Sequence, residues 1–134
     1  MEIRIAVEQD ITVLTKYDHH ISKDELLNSI RLNRVYIGEM DGKFIGWLRF
    51  NLFWDNTPFM NMLFLLDDYR GSGFGKELVN YWEEKMKKLN HEVVMTSTAS
   101  DEYAQHFYVK KGYQTVGGFN FLEAPYEIIM MKKL

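Results

Sequence analysis

The chain contains no cysteine, which excludes a disulfide framework, a thiolate metal site and a cysteine nucleophile together. Nor does it hold an apolar run near the roughly 18 residues that a membrane helix needs. Its first residues, Met1-Glu2-Ile3-Arg4-Ile5, lack the basic start and apolar stretch of a signal peptide. The expectation is a soluble cytoplasmic protein with no membrane partner. Excess positive charge is missing as well: 16 Lys and Arg stand against 19 Asp and Glu, for a formal charge of −3. No general attraction to nucleic acid follows from such a balance. His19, His20, His91 and His106 show no metal-ligand spacing and have no Cys or acid companions in a short motif, so no metal is expected.

What is present is enough for one core. A chain of 134 residues, 46% of them hydrophobic, has the size of one ordinary domain, and no repeat, low-complexity tract or linker interrupts residues 1–134. Glu2 to Val7 alternates Ile3, Ile5 and Val7 with mostly polar neighbours, the period of a strand. Residues 8–19 and 23–33 read as helices, the second opened by the capping box Ser22-Lys23-Asp24-Glu25. Val35–Met40 and Phe44–Phe50 flank Asp41-Gly42, a strong hairpin signal. Phe59 to Leu66 is a near-continuous apolar run that suits a central strand covered on both faces. Phe74, Leu78, Trp82 and Met86, widened by Val79 and Leu89, mark a helix, and the charged run Glu83-Glu84-Lys85 with Lys87-Lys88 reads as its wet face. Glu92–Thr98, Tyr113–Gly117 and Tyr126–Met131 read as strands, and Glu102–Lys111 as a short helix closed by Gly112.

Between the apolar strand and the long helix lies Arg70-Gly71-Ser72-Gly73-Phe74-Gly75-Lys76. A strand running into three alternate glycines and then a helix aims unpaired N–H groups and the positive end of a helix dipole at one point, where an anion belongs. The glycines let the backbone form a nest, while Arg70 and Lys76 add charge at either end. Taken alone, such a run is as compatible with a turn that binds nothing. Two familiar phosphate loops fail on spacing. A dinucleotide fingerprint needs a glycine where Lys76 or Leu78 stands, and a triphosphate loop needs glycine at Arg70 and Ser or Thr at Glu77.

The pattern that does fit is Arg70-x-x-Gly73-x-Gly75 preceded by Leu63-x-Leu65 and Tyr69, which resembles the coenzyme A motif of the GNAT acetyltransferase superfamily. A second match follows in the right order: Ala104, Phe107, Tyr108, Lys110, Gly112 and Tyr113 resemble that superfamily's later motif. The resemblance covers essentially the whole chain. It implies a mixed α/β domain of about seven strands and four helices, with a mostly antiparallel sheet splayed at the cofactor site. It further implies that acetyl-coenzyme A is the cosubstrate, with Leu63, Phe64 and Leu65 pairing with the pantetheine arm. The pyrophosphate then sits on Gly71, Ser72, Gly73, Phe74, Gly75 and Lys76, the placement the anion argument reaches independently. Tyr108 matches the position of the general acid, and the Leu65 N–H is the candidate oxyanion donor.

Two positions depart from the family pattern. Asp101 stands where an asparagine often contacts the pantetheine, and Ser100 is an alternative for that contact. No acid occurs in Phe59–Leu66 or Val93–Thr98, so no general base is named. The implied activity is acetyl transfer to a primary amine on a small molecule or a protein. The alternatives are a coenzyme A-binding module without turnover and, less favoured, a nucleotide-binding protein of unrelated fold. Residues 21–35, 53–58 and 117–125 would frame the acceptor, and acidic Asp55, Glu123 and Glu127 could attract a cationic amine. Trp47, Phe53 and Trp54 could line its pocket, though aromatic residues are more often packing. An edge strand at the C-terminus would allow a homodimer.

Overall fold

The computed structural model describes all 134 residues. Seven strands and four α-helices follow the chain as β1 (Glu2–Ile5), α1 (Ile11–Tyr17), α2 (Lys23–Arg31), β2 (Val35–Met40), β3 (Lys43–Phe53), β4 (Thr57–Leu65), α3 (Phe74–Lys88), β5 (Val93–Ala99), α4 (Ala104–Lys110), β6 (Gln114–Phe119) and β7 (Glu127–Lys133). Short 3-10 turns occupy Glu8–Asp10 and Asp67–Tyr69. The strand order is β1-β2-β3-β4-β5-β7-β6. β7 therefore lies inside the sheet and β6 forms its edge, which corrects the expectation of an edge strand at the C-terminus. The chain gathers into two compact units, Met1–Asn51 with Met62–Trp82, and Leu52–Asn61 with Glu83–Leu134.

In the first unit, β1, β2 and β3 are antiparallel neighbours. The hairpin between β2 and β3 turns at Asp41 (φ 51°) and Gly42 (φ 76°), the two left-handed residues that a tight turn between right-twisted strands requires. The Ser22 hydroxyl accepts from the Glu25 N–H at 3.2 Å and opens α2 as its N-cap. Leu26 and Ile30 are four residues apart on the inner face of that helix and pack with Leu14, Val35, Ile37 and Trp47. Burying each of the aliphatic side chains stabilises the unit by about 1.5–3 kcal/mol. Asp18, at the end of α1, is buried; its N–H caps the helix on the Leu14 carbonyl at 2.7 Å, and its carboxylate accepts from Arg49 Nε at 2.8 Å and Trp47 Nε1 at 3.2 Å, which ties the helix end to β3.

In the second unit, β5 and β7 are antiparallel over their full lengths and β6 pairs with the far side of β7. The parallel ladder of β4 with β5 consists of Phe59↔Met95 and Met60↔Thr96. Within β4 only Pro58 and Met60 are buried, while Met62 to Leu65 are half-buried. The expected coverage of this strand on both faces is thus only partly realised. Leu89 also departs from its expected place, lying beyond α3 and 65% exposed.

Candidate active site

The C-terminal end of β4 is shaped by what lies beneath it. A Cβ on Gly46 of β3 would come within 2.4 Å of the Phe64 carbonyl oxygen and 2.7 Å of the Leu65 side chain, so only glycine admits this approach of the strands. The Leu66 N–H donates to the Ile45 carbonyl at 2.8 Å and holds the strand end in register. Phe64 packs its ring 5.1 Å from that of Trp47, and the Arg70 guanidinium lies 4.7 Å over the Phe64 ring. Arg70 turns back on the strand: its Nε donates to the Leu65 carbonyl at 2.9 Å and its Nη1 is 3.4 Å from Asp67. Its charge is therefore partly engaged at the end of β4, in an exposed pair of the kind worth at most ~1 kcal/mol.

Gly71 (φ 78°) and Gly73 (φ 87°) are left-handed, and a Cβ at either would meet nothing within 4 Å. These glycines are required by backbone shape and not by crowding, and the space beside them is open. Gly75 differs, since a Cβ there would make ordinary contacts of 3.7 Å with Leu65 and 3.9 Å with Leu63. The first backbone bond of α3 in this segment runs from the Glu77 N–H to the Gly73 carbonyl at 3.1 Å. The N–H groups just before Glu77 thus precede any intrahelical partner. A two-residue left-handed alternation leading into a 15-residue helix is a nest with a helix dipole behind it, suited to an anion. The structure sets Arg70 against Phe64 and Leu65, and Gly75 beside Leu63 and Leu65, with Gly71, Ser72, Gly73 and Lys76 exposed on the turn.

Tyr108 belongs to the second unit and points inward from α4. It is 7% exposed, and its ring packs 5.2 Å from Phe107 and 5.5 Å from Tyr113. Burial pushes its hydroxyl up to about 12; the Thr96 side chain, hydrogen-bonded to it, offsets part of that and Glu102 adds to it. Thr96 in turn donates from Oγ1 to the Met60 carbonyl at 3.0 Å, at the end of the β4–β5 ladder. Beside it, Tyr113 donates to Glu83 Oε2 and Lys132 to Glu83 Oε1, each at 2.8 Å. Burial, then Glu83, raises the Tyr113 hydroxyl far above its ordinary range. Glu83 is 8% exposed, so the expectation of a wholly wet charged run on α3 is corrected at this residue. Asp101 and Ser100 are exposed; the loop that carries them is held by Gln105, whose side-chain amide donates to the Ser100 and Glu102 carbonyls.

Residues 5–113 match the model of the acetyltransferase (GNAT) family. The chain belongs to this family. The matched stretch contains both the glycine segment and Tyr108. Among solved structures, Ard1 from Thermoplasma volcanium is 15% identical, with 99% of this chain and 97% of that one covered at a TM-score of 0.85. The PaiA N-acetyltransferase from Thermoplasma acidophilum, in complex with coenzyme A, is 21% identical with 99% and 98% covered at 0.81. YncA from Salmonella typhimurium, with its cofactor acetyl-CoA, is 16% identical with 100% and 94% covered at 0.82. At such identities the likeness is one of fold, and it extends over the GNAT architecture from β1 to β7. No curated protein matches the chain by sequence. No helix is long and apolar enough to cross a membrane.

Sequence reasoning did not single out Gly46, Glu83 or the Asp18–Arg49 pair. Glycine in the middle of the strand-like run Phe44–Phe50 was the one available signal for Gly46, because an interior strand glycine often marks a close backbone approach. Glu83 carries no such signal: its partners Tyr113 and Lys132 are 30 and 49 residues away.

Proposed function

We propose that this GNAT member transfers the acetyl group of acetyl-coenzyme A to a primary amine of a small molecule or a protein, in the cytoplasm. The observation that carries the reading is the left-handed pair Gly71 and Gly73, open to the outside and followed at once by the N-terminus of α3. Backbone groups of Leu63, Phe64 and Leu65 would pair with the pantetheine arm, and the N–H groups from Gly71 to Lys76 would take the pyrophosphate, with Lys76 adding charge. When bound, the cosubstrate supplies an activated acetyl group as a thioester. The Leu65 N–H is the donor assigned to the carbonyl oxygen of that group, where negative charge grows during attack. Ser100 or Asp101 would meet the pantetheine from the other loop.

Tyr108 is assigned to the departing sulfur. Its hydroxyl, raised to about 12, remains protonated across the physiological range. A thiol such as that of cysteine titrates near 8.5, so complete proton transfer from the phenol would be uphill by roughly 5 kcal/mol. The phenol thus acts chiefly by turning its proton from Thr96 to the sulfur and donating a hydrogen bond there as charge develops, an interaction worth about 1.5–3 kcal/mol. Replacing Tyr108 by Phe should then lower turnover about 10- to 150-fold and leave residual activity.

β4 and β5 contain no carboxylate, so deprotonation of the incoming amine is left to water. An alkylamine titrating near 10.4 is mostly charged at neutral pH. With such an acceptor the rate at subsaturating amine should climb about tenfold per pH unit from pH 6 to 9; a plateau near neutrality would reveal an internal base. The same absence favours a second reading, a coenzyme A-binding module without turnover. A thermal-shift titration with acetyl-coenzyme A, followed by thiol release over a panel of amines, separates the readings. Stabilisation with amine-dependent thiol release establishes the transferase. Stabilisation without release across the panel supports the binding module, and no stabilisation sinks both.

A further inference from the structure

A cavity lies in the unit that carries β5, β6 and β7. It has a volume of about 350 Å³ and is lined by Phe53, Trp54, Met95, Val116, Ile129 and Met131 together with Thr57, Val93 and Gly117. Its walls are almost wholly carbon. The register explains them: Met95 and Met131 are direct partners on β5 and β7, and alternate residues of a strand share a face, which brings Val93 and Ile129 to the same side. Thr57 and Val93 are also shared with a neighbouring depression of about 380 Å³ whose other walls are Asn56, Asn90, His91 and Glu92. One compartment is apolar and the adjoining one is polar, with a single carboxylate and no lysine or arginine in either lining. Both volumes fall in the ~300–1,000 Å³ range of small-molecule sites.

Trp54 makes this arrangement hard to explain by folding alone. It is 79% exposed, and both Trp54 (φ 55°) and Asp55 (φ 64°) are left-handed. A tight hairpin turn favours Asn and Gly at such positions, and a tryptophan there is unfavourable for the backbone. Its ring leans on Phe53 at 4.9 Å, which leans on Phe59 at 6.0 Å, so the indole is presented as the last ring of an aromatic row at the rim of the cavity. A costly conformation held at a cavity mouth points to a ligand clamp. The cavity starts at Thr57, the first residue of β4, whereas the glycine segment follows Leu65, the last, so none of the residues assigned to the cofactor lines it.

We propose that this bipartite cavity binds an amphipathic organic cation. The aryl or alkyl body occupies the Phe53–Met131 compartment, and the ammonium group lies between the exposed face of Trp54 and the carboxylate of Glu92, with Asn56 and Asn90 as hydrogen-bonding neighbours. Trp is the aromatic ring most attractive to a cation, and Glu92 supplies the opposite charge. Because no residue assigned to the cofactor lines it, the cavity would bind its ligand whether or not the coenzyme is present.

The test uses 4-phenylbutylamine as probe, with 4-phenylbutan-1-ol and 4-phenylbutyrate as neutral and anionic analogues, followed by calorimetry and by tryptophan fluorescence. The other two tryptophans, Trp47 and Trp82, are buried, so the fluorescence change reports Trp54. Saturable 1:1 binding is expected, with the amine about 5- to 10-fold tighter than the alcohol and the carboxylate weakest. Glu92→Gln should shrink the advantage of the amine over the alcohol without weakening the alcohol. Val116→Arg, at a 53% exposed position, should abolish binding of all three while the melting temperature is kept. Trp54→Asn should weaken the amine at least fivefold and raise the melting temperature, because asparagine suits the left-handed turn. Equal affinity for the three probes, unchanged binding in Val116→Arg, or a lower melting temperature in Trp54→Asn would overturn the proposal. So would absence of binding combined with a dimer by sedimentation that Val116→Arg dissociates, which would make this face an interface between copies of the chain.

Discussion

In the first unit, the segment from Leu63 to Lys76 offers its chemistry through the main chain. Two left-handed glycines and an open helix end present N–H groups, Gly46 lets the supporting strand approach, and side-chain identity matters little. In the second unit, the segment around Tyr108 depends on side chains buried together: Tyr108 with Thr96, and Tyr113 with Glu83 and Lys132. The two segments therefore have different weaknesses. A backbone nest is disturbed by added Cβ atoms and barely by lost charges, whereas a buried polar cluster is disturbed by any lost partner.

The largest expected effect tests the side-chain cluster. Glu83→Ala removes the acceptor of both Tyr113 and Lys132 and should lower stability by about 2–4 kcal/mol, read as a fall in the urea midpoint at unchanged slope. Retention of the midpoint would show that the cluster is surface-like. Alkaline pH gives the next effect, in both units. Burial pushes the Tyr36 and Tyr108 hydroxyls up to about 12, against an ordinary 10. Their neutral forms are favoured by folding, so their contribution is complete below pH 10 and is lost as pH rises from 10 to 12. The loss is about 2–3 kcal/mol for each. Urea titrations at pH 8, 10 and 11 should show it, and Tyr108→Phe should reduce it.

Smaller effects test the nest. Gly73→Ala should cost about 1–2 kcal/mol of backbone strain and weaken acetyl-coenzyme A at least tenfold by calorimetry, while Gly75→Ala, which makes only ordinary contacts, should change affinity less than threefold. Equal effects at the two positions would remove the claim that conformation is what the glycines provide. Smallest is Lys76→Ala, an exposed charge, expected to weaken the coenzyme about 2- to 5-fold at low salt and by nothing measurable near 0.5 M. A large and salt-independent effect would shift weight from backbone to side chain.

Most elements were readable because their signals are local. The Asp41-Gly42 turn, the Ser22 cap and the Phe74–Met86 stripe each depend on residues a few positions apart, and the structure places all three as the patterns require. The glycine segment was readable for the same reason, since a nest and a helix start are contiguous. The placement of β7 between β5 and β6 was not, because nothing near Glu127 records which strands it will join. Gly46 and Glu83 were missed on the same ground: their importance lies in partners on other elements. The buried pair Asp18 and Arg49 likewise reads in sequence as two ordinary surface charges.

The position of β7 also bears on how the chain assembles. β5 and β6 are synthesised before it, yet each meets β7 and neither meets the other. Until residues 127–133 emerge, a nascent chain carries two strands with matching unpaired edges and no shared partner, open to pairing with the wrong strand or with another molecule. Loss of β7 would therefore leave both edges open at once.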